Sequence, residues 1–328
     1  MSYPYLNYFS ALHEQPAAVK IVATGADITI ETENPRALKN LLLDMDGENA
    51  ISLLSEKHCY DENDICDLSL QLSDAGVAKI GKAPLDNTLD PQDFAKVCRE
   101  VFPKWKKDVF TLDFWHDLTS GKLSKSAFAG WLLENFYFIE GATKRLSLVT
   151  AAANENKKIR ALFSQHFIEE YNHHLFFMKA LKRLGFTKKQ VLNHQPLPST
   201  MAIINHMREC GRRDAISYAA CSAFLESTGG DRKDGMVFYN ALIQYYDPEN
   251  IGIVQPLIEH AYLDEEYGHN DWLEKVCACV STLEKERADE AINSAATLVE
   301  TLTLWTHDMK NHYSHIPFEE ILNPSRYR

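Results

Sequence analysis

No run of this chain approaches the roughly 20 apolar residues that a membrane-spanning helix needs, and its opening MSYPYLNYFSALHEQ lacks the basic-then-apolar order of a signal peptide. Neither a membrane protein nor an exported one is expected. Positive charge is in deficit. There are 34 Lys and Arg against 46 Asp and Glu, a formal net charge of −12, which argues against nucleic acid as a partner. The CxxC spacing is missing: the 7 cysteines stand at positions 59, 66, 98, 210, 221, 277 and 279. An odd, scattered set reads as free thiols in a reducing cytoplasm rather than a disulfide framework. Internal repeats and low-complexity tracts are absent too. What remains is ordinary globular composition, 45% hydrophobic and 24% charged, enough for one large domain and one small one.

The acidity is uneven. Residues 1–90 hold 15 acidic and 6 basic residues, whereas the remaining chain holds 31 and 28. The first quarter therefore reads as a unit with its own surface, residues 1–88, ending in a linker at Gly81–Thr88, before a second domain over 89–328. In the first unit, residues 20–32 alternate around Gly25-Ala-Asp27 as a short hairpin does. Ala37–Leu43, Ala50–Leu54 and Ile65–Leu72 have helical apolar spacing. Beyond the linker the pattern is helical almost throughout, with no strand-like segment. Asp90-Pro91 opens a helix. Ser124 caps one expected to run to about Asn154, and a further helix is expected over Phe163–Leu184. Thr187 with Gln190 and Ser281 with Glu284 have capping-box spacing. Gly185 and Gly211 are expected helix stops.

The chemistry-bearing residues lie on those helices. Glu170 with His173 or His174 stands at the three- and four-residue spacing that shares a helix face. His260, Asp264, Glu265, Glu266 and His269 follow in a second cluster, and Glu226 lies between in the apolar segment SAFLEST. A carboxylate in such a segment needs a cation or strong hydrogen bonds. Carboxylate–imidazole pairs from several helices are how helical bundles hold paired metal ions.

Three segments, WLLENFYFIEGATKRLSLVTAAANENKKIRALFSQHFIEEYNHH, LPSTMAIINHM followed by RRDAISYAACSAFLEST, and LIEHAYLDEEYGH, together resemble the heme-oxygenase-like superfamily over roughly Asp93–Tyr313. The resemblance is closest to its pyrroloquinoline-quinone synthase C and thiaminase-II branches; another branch of the superfamily, the heme-oxygenase-like diiron oxidases, binds two irons. The resemblance implies a mainly α fold, a heme-oxygenase-like helical bundle. The first unit, through ALKNLLLDMDGENAISLLSE and ICDLSLQLSDAGVAKI, resembles winged-helix-like modules that bind a leader peptide in modified-peptide biosynthesis.

The diiron branch implies two Fe(II) ions and O2 as cofactors. Carried onto this chain, its ligands fall on Glu140 (preferred to Glu134), Glu170, His173, Glu226, His260 and Asp264. The last imidazole of the set would fall at Tyr267, with His269 nearby. On a regular helix His269 would point about 180° from His260. Tyr267 and Tyr137 are the candidate catalytic side chains. The implied activity is O2-dependent oxidation of an amine, an amino acid or a peptide-bound residue, in a homodimer. Two alternatives stay open. One is a cofactor-free oxidase that would use His166, His173, His174, Tyr171 and Tyr267. The other is a thiaminase-II-like hydrolase with Cys221 as nucleophile.

Overall fold

A computed structural model describes residues 2–6, 11–23, 26–81, 87–153, 156–226, 232–249, 251–268 and 271–322. The chain divides into two compact units, Met1–Thr88 with Arg99–Val101, and Leu89–Cys98 with Phe102–Arg328.

The first unit is α+β. Strands β1 (Pro4–Leu6), β2 (Ala11–Gln15), β3 (Ala18–Ala23) and β4 (Ala26–Glu31) precede helices α1 (Pro35–Asp44), α2 (Ile51–His58) and α3 (Glu62–Asp74), and β5 (Ala78–Ile80) closes it. One antiparallel sheet has the order β2-β3-β4, and a second pairs β1 with β5. The β3–β4 hairpin lies where the alternation placed it; β1, β2 and β5 are short segments that the pattern did not reveal. Asn34 caps α1 by accepting from the Ala37 amide at 3.1 Å, and Pro35 fills the first turn, where its missing N–H costs nothing. Leu38, Leu41 and Leu42 then form one helix face. They pack with Val19 and Ile21 of β3, Leu54 of α2 and Ile65 and Leu72 of α3 into a core of their own.

The second unit contains helices α4 (Pro91–Phe110), α5 (Asp113–Thr119), α6 (Lys125–Glu140), α7 (Ala142–Ala152), α8 (Lys157–Glu170), α9 (His174–Arg183), α10 (Lys188–Asn193), α11 (Pro198–Arg213), α12 (Ala215–Glu226), α13 (Arg232–Tyr246), α14 (Gln255–Tyr267), α15 (Trp272–Cys277), α16 (Lys285–Tyr313) and α17 (Phe318–Leu322). Among the described residues, no helix is long and apolar enough to cross a membrane. Two helices are apolar on nearly every side: α6 buries Ser126 through Glu134 without a break, and α12 buries Ala215 through Phe224. A helix of that kind has no solvent face and must be central. The small residues of AISYAACSAF let α11, α15 and α16 pack closely on α12.

Four sequence expectations are revised. The helix begun at Ser124 stops at Glu140 and restarts as α7 after Gly141. The span 163–184 is two helices, α8 and α9, joined at Tyr171–His173. Gly211 does not end α11. It lies inside that helix, where a Cβ would meet the Arg145 carbonyl oxygen at 3.1 Å and the Tyr218 ring at 3.2 Å, so it serves close packing. Leu283–Glu284 is a two-residue strand and α16 has no side-chain cap, so the Ser281/Glu284 capping box does not form. The Thr187/Gln190 box does form, and α9 ends before Gly185 at φ 111°.

Candidate metal centre

The joint between α8 and α9 builds the first half of the site. Over Tyr171–Phe176 the backbone switches to i→i−3 bonds: the His173 amide donates to the Glu170 carbonyl at 3.3 Å, and Leu175 to Asn172 at 2.9 Å. Such tightening narrows the turn and changes the direction in which side chains leave the axis. His166 and Glu170 come from the last turn of α8, and His173 from the joint itself. His173 Nδ1 lies 2.9 Å from Glu170 Oε1. His166 Nε2 lies 3.7 Å from the same oxygen and 3.6 Å from Glu226 Oε1 at the end of α12.

The second half comes from α14. His260 and Asp264 are one turn apart, with His260 Nδ1 3.4 Å from Asp264 Oδ2. Asp264 Oδ1 reaches His173 Nδ1 at 3.2 Å, which links the halves. The His173 and His260 rings meet edge to face at 4.9 Å. Outer contacts fix these groups. Ser222, one turn before Glu226, donates to Glu226 Oε1 at 2.5 Å. The Trp272 ring lies 4.3 Å from His166, and Phe176 and Phe177 flank His260 at 5.7 and 5.6 Å. The loop leading to α14 is tied by Asp247, which accepts from the amides of Ile251 and Ile253 at 2.9 and 2.7 Å.

The electrostatics of this cluster call for a cation. Burial opposes ionisation of Glu170, but hydrogen bonds from His166 and His173 outweigh it and hold the carboxyl well below its usual range. His166 is raised: burial disfavours its charge, and the Glu226 and Glu170 carboxylates more than compensate. Asp264 is pushed up to about 9 by burial and then by the charges of Glu170 and Glu226. Three partly buried carboxyl groups this close together do not all ionise without positive charge among them. Three imidazoles and three carboxylates, with no thiolate, form a donor set suited to non-haem iron. Within it, donor atoms of His173, His260 and Asp264 all lie within 4.8 Å of one another. That is a two-histidine, one-carboxylate triad.

The structure thus gathers Glu170, His173, Glu226, His260 and Asp264, and adds His166, whose i,i+4 relation to Glu170 was the available signal. Other candidates fall elsewhere. Glu140 ends α6 paired with Lys144 at 3.4 Å, a surface i,i+4 contact. Glu134 is fully buried. It accepts from the Leu197 amide at 3.0 Å and from the hydroxyls of Thr200 and Tyr313, so its charge is satisfied apart from the cluster. Tyr137 donates to the carbonyls of Val191 and His194 at 2.8 and 2.6 Å, a structural tie rather than a catalytic position. Tyr267 does reach the site, its ring parallel to His173 at 6.3 Å. His269 lies outside the described residues. The regular-helix projection used for it does not apply, because α14 ends at Tyr267 with Gly268 left-handed at φ 67°. His174 belongs to α9 and stacks edge-on against Phe136 at 5.8 Å.

A cavity of about 870 Å³ opens beside the cluster, lined by His166, Glu170, Glu226, His260 and Asp264 at one side and by aromatic walls such as Trp131 and Phe238. Two buried cations also line it, Lys106 and Arg145. Arg145 Nη1 donates to the Phe138 carbonyl at 2.6 Å, while its Nε has no hydrogen-bond partner among the described residues. Cys221 is fully buried and is not among the cavity-lining residues.

Residues 102–229 match the TENA/THI-4/PQQC family, a span that contains His166, Glu170, His173 and Glu226 and ends before α14. In structure the chain is similar to a domain of unknown function with a heme oxygenase-like fold from Shewanella denitrificans OS217, at 18% identity and a TM-score of 0.53, over 64% of this chain and 88% of that one. It is also similar to a TenA homologue from Pseudomonas syringae pv. tomato DC3000, at 12% identity and a TM-score of 0.52, over 69% of this chain and 96% of that one. No curated protein matches the chain in sequence. The helical unit has the heme-oxygenase-like fold.

Proposed function

We propose that this heme-oxygenase-like unit is a non-haem diiron oxidase that uses O2 to oxidise a small amine, amino acid or peptide-bound residue. The observation that carries the reading is the meeting of three imidazoles and three carboxylates from α8, the α8–α9 joint, α12 and α14 beside a cavity. His173, His260 and Asp264, together with His166, Glu170 and Glu226, would hold the ions. Two ferrous ions there supply electrons for reducing dioxygen and the oxidising strength to attack a C–H or C–C bond.

The protein's own groups do the rest. Ser222 keeps Glu226 aimed by donating to its Oε1 at 2.5 Å. Asp264, which holds a proton without a cation, would release it as an ion binds, so loading should release protons. The aromatic walls exclude water and hold an apolar substrate portion. Arg145 supplies a fixed fork for a substrate carboxylate, which its buried Nε lacks among the described residues. Tyr267, parallel to His173 at 6.3 Å and outside the cavity lining, would support that ligand from behind.

A panel of amino acids, amines and short peptides tested for oxygen uptake by the iron-loaded chain checks this reading. We expect uptake with a carboxylate-bearing compound. Asp264→Asn should abolish it, and Arg145→Met should raise KM at least tenfold while iron content is unchanged. Uptake indifferent to Asp264→Asn would refute the assignment. If residues 1–88 recruit a peptide leader, that peptide is the substrate and the cavity receives one of its side chains.

A further inference from the structure

The iron reading leaves unused a second donor set on the other side of α12. His206 and Cys210 lie one turn apart on α11, and Cys221 faces them from α12. Both cysteines are fully buried, and His206 is partly exposed. Cys210 Sγ and Cys221 Sγ are 3.9 Å apart, and His206 Nε2 lies 3.6 Å from the first and 4.0 Å from the second. The three atoms form a near-equilateral triangle. Its centre lies about 2.2 Å from each corner, against metal–thiolate and metal–imidazole bonds of about 2.3 and 2.0–2.1 Å.

We propose that His206, Cys210 and Cys221 form a binding site for one thiophilic d10 cation, zinc or cuprous copper, independent of the iron centre. Two thiolates with an imidazole are the soft donors that select these ions. A disulfide would draw the sulfurs from 3.9 Å to about 2.05 Å, whereas an ion at the centre of the triangle would leave the two sulfurs where they stand and take the His206 Nε2 from its bond to Ser294. The Cys221 thiol hydrogen-bonds to Cys210, and that bond, with His206, holds Cys210 below the usual thiol range while raising Cys221. One sulfur is thus already favoured as a thiolate. Binding releases the Cys221 proton. It also displaces to solvent the proton on His206 Nε2, which now donates to the Ser294 carbonyl at 2.8 Å and which the neighbouring Cys210 helps the ring to hold. Ser294 lies within α16, so its carbonyl retains its helical partner. The Ser294 side chain also hydrogen-bonds to Cys210, an outer contact that orients a ligating sulfur. An ion here would pin α11 to α12 next to Ser222, the residue that holds Glu226.

The test is anaerobic titration of the reduced full-length chain with Co(II), followed by Zn(II), and separately with Cu(I) against a chromophoric chelator. We expect one equivalent of cobalt to give thiolate-to-metal absorption in the near ultraviolet. That band should vanish in Cys210→Ser and in Cys221→Ser and persist in Glu170→Gln and in Cys277→Ala. Displacement by zinc identifies zinc as the ion; binding of Cu(I) alone, with the same variant pattern, identifies copper. A reduced chain that gives no thiolate band and does not retain Cu(I), or a band that survives both serine variants, overturns the proposal. Should the serine variants unfold, X-ray absorption on the zinc-loaded wild type decides. Two sulfurs and one nitrogen in the zinc shell support the site, and an all-oxygen-and-nitrogen shell overturns it.

Discussion

At the scale of single residues, what a charged side chain meets in space decides its part in the site, and spacing alone does not. Glu134, Glu140 and Glu170 all occupy helices, yet Glu140 pairs with a surface lysine, Glu134 is sealed under hydroxyl donors with His194 at 3.4 Å, and only Glu170 meets the imidazoles of the cluster. Helical spacing was enough to name Glu170, His173, His260 and Asp264, and the apolar context of SAFLEST was enough to name Glu226. His166 shows in the sequence only through its i,i+4 relation to Glu170; its other partner, Glu226, is 60 positions away and no local pattern joins those two. Lys106 gives a further test. A free lysine titrates near about 10.4. Burial holds Lys106 at about 8. Between those values the unfolded chain carries a proton that the folded chain lacks, so this residue makes stability rise with pH through that window. Below the window the buried charge costs on the order of 3 kcal/mol. Urea unfolding of the metal-free chain should show Lys106→Met more stable than wild type at pH 7, with the gain shrinking towards pH 10. An equal gain at both pH values would contradict the buried-charge account.

At the scale of elements, the helical character of residues 89–328 was legible because apolar periodicity runs through nearly every segment. The breaks were not. The α8–α9 joint contains Tyr171, Asn172 and His173, with no proline or glycine to announce its tightened bonds. The end of α14 was open to view in Gly268, yet pattern matching carried the helix through it to His269. Close helix packing was equally hidden. Gly130 of α6 lies so near α16 that a Cβ would stand 2.2 Å from the Tyr313 ring. That ring cannot step aside, since it is buried and its hydroxyl donates to Glu134. Gly130→Ala should therefore destabilise the chain, at the upper end of about 1–3 kcal/mol for overpacking. Gly235→Ala on α13, where a Cβ meets nothing within 4 Å, should stabilise it by about 0.5–1 kcal/mol through helix propensity. Denaturant curves showing the same sign for both would contradict this packing.

For the whole molecule, the uneven charge marked the first unit, and the compact division of the chain falls in the same region. Its hydrophobic core contains no residue of the metal cluster. Deleting residues 1–88 should therefore leave iron binding by the remainder unchanged. Oxygen uptake driven by a peptide substrate should fall at least tenfold if this unit recruits a leader, and uptake driven by a free amino acid should not. Lost iron binding with retained helicity would contradict that independence. The most direct measurement is the iron content of the full-length chain after anaerobic loading with Fe(II) and removal of excess metal, for wild type, Glu226→Gln and Asp264→Asn. We expect about two irons per chain in the wild type and no more than about one in either variant, since each removes one of the six donor side chains that would hold the pair. A wild-type chain that retains no iron, or one whose iron content neither substitution alters, would contradict the diiron centre.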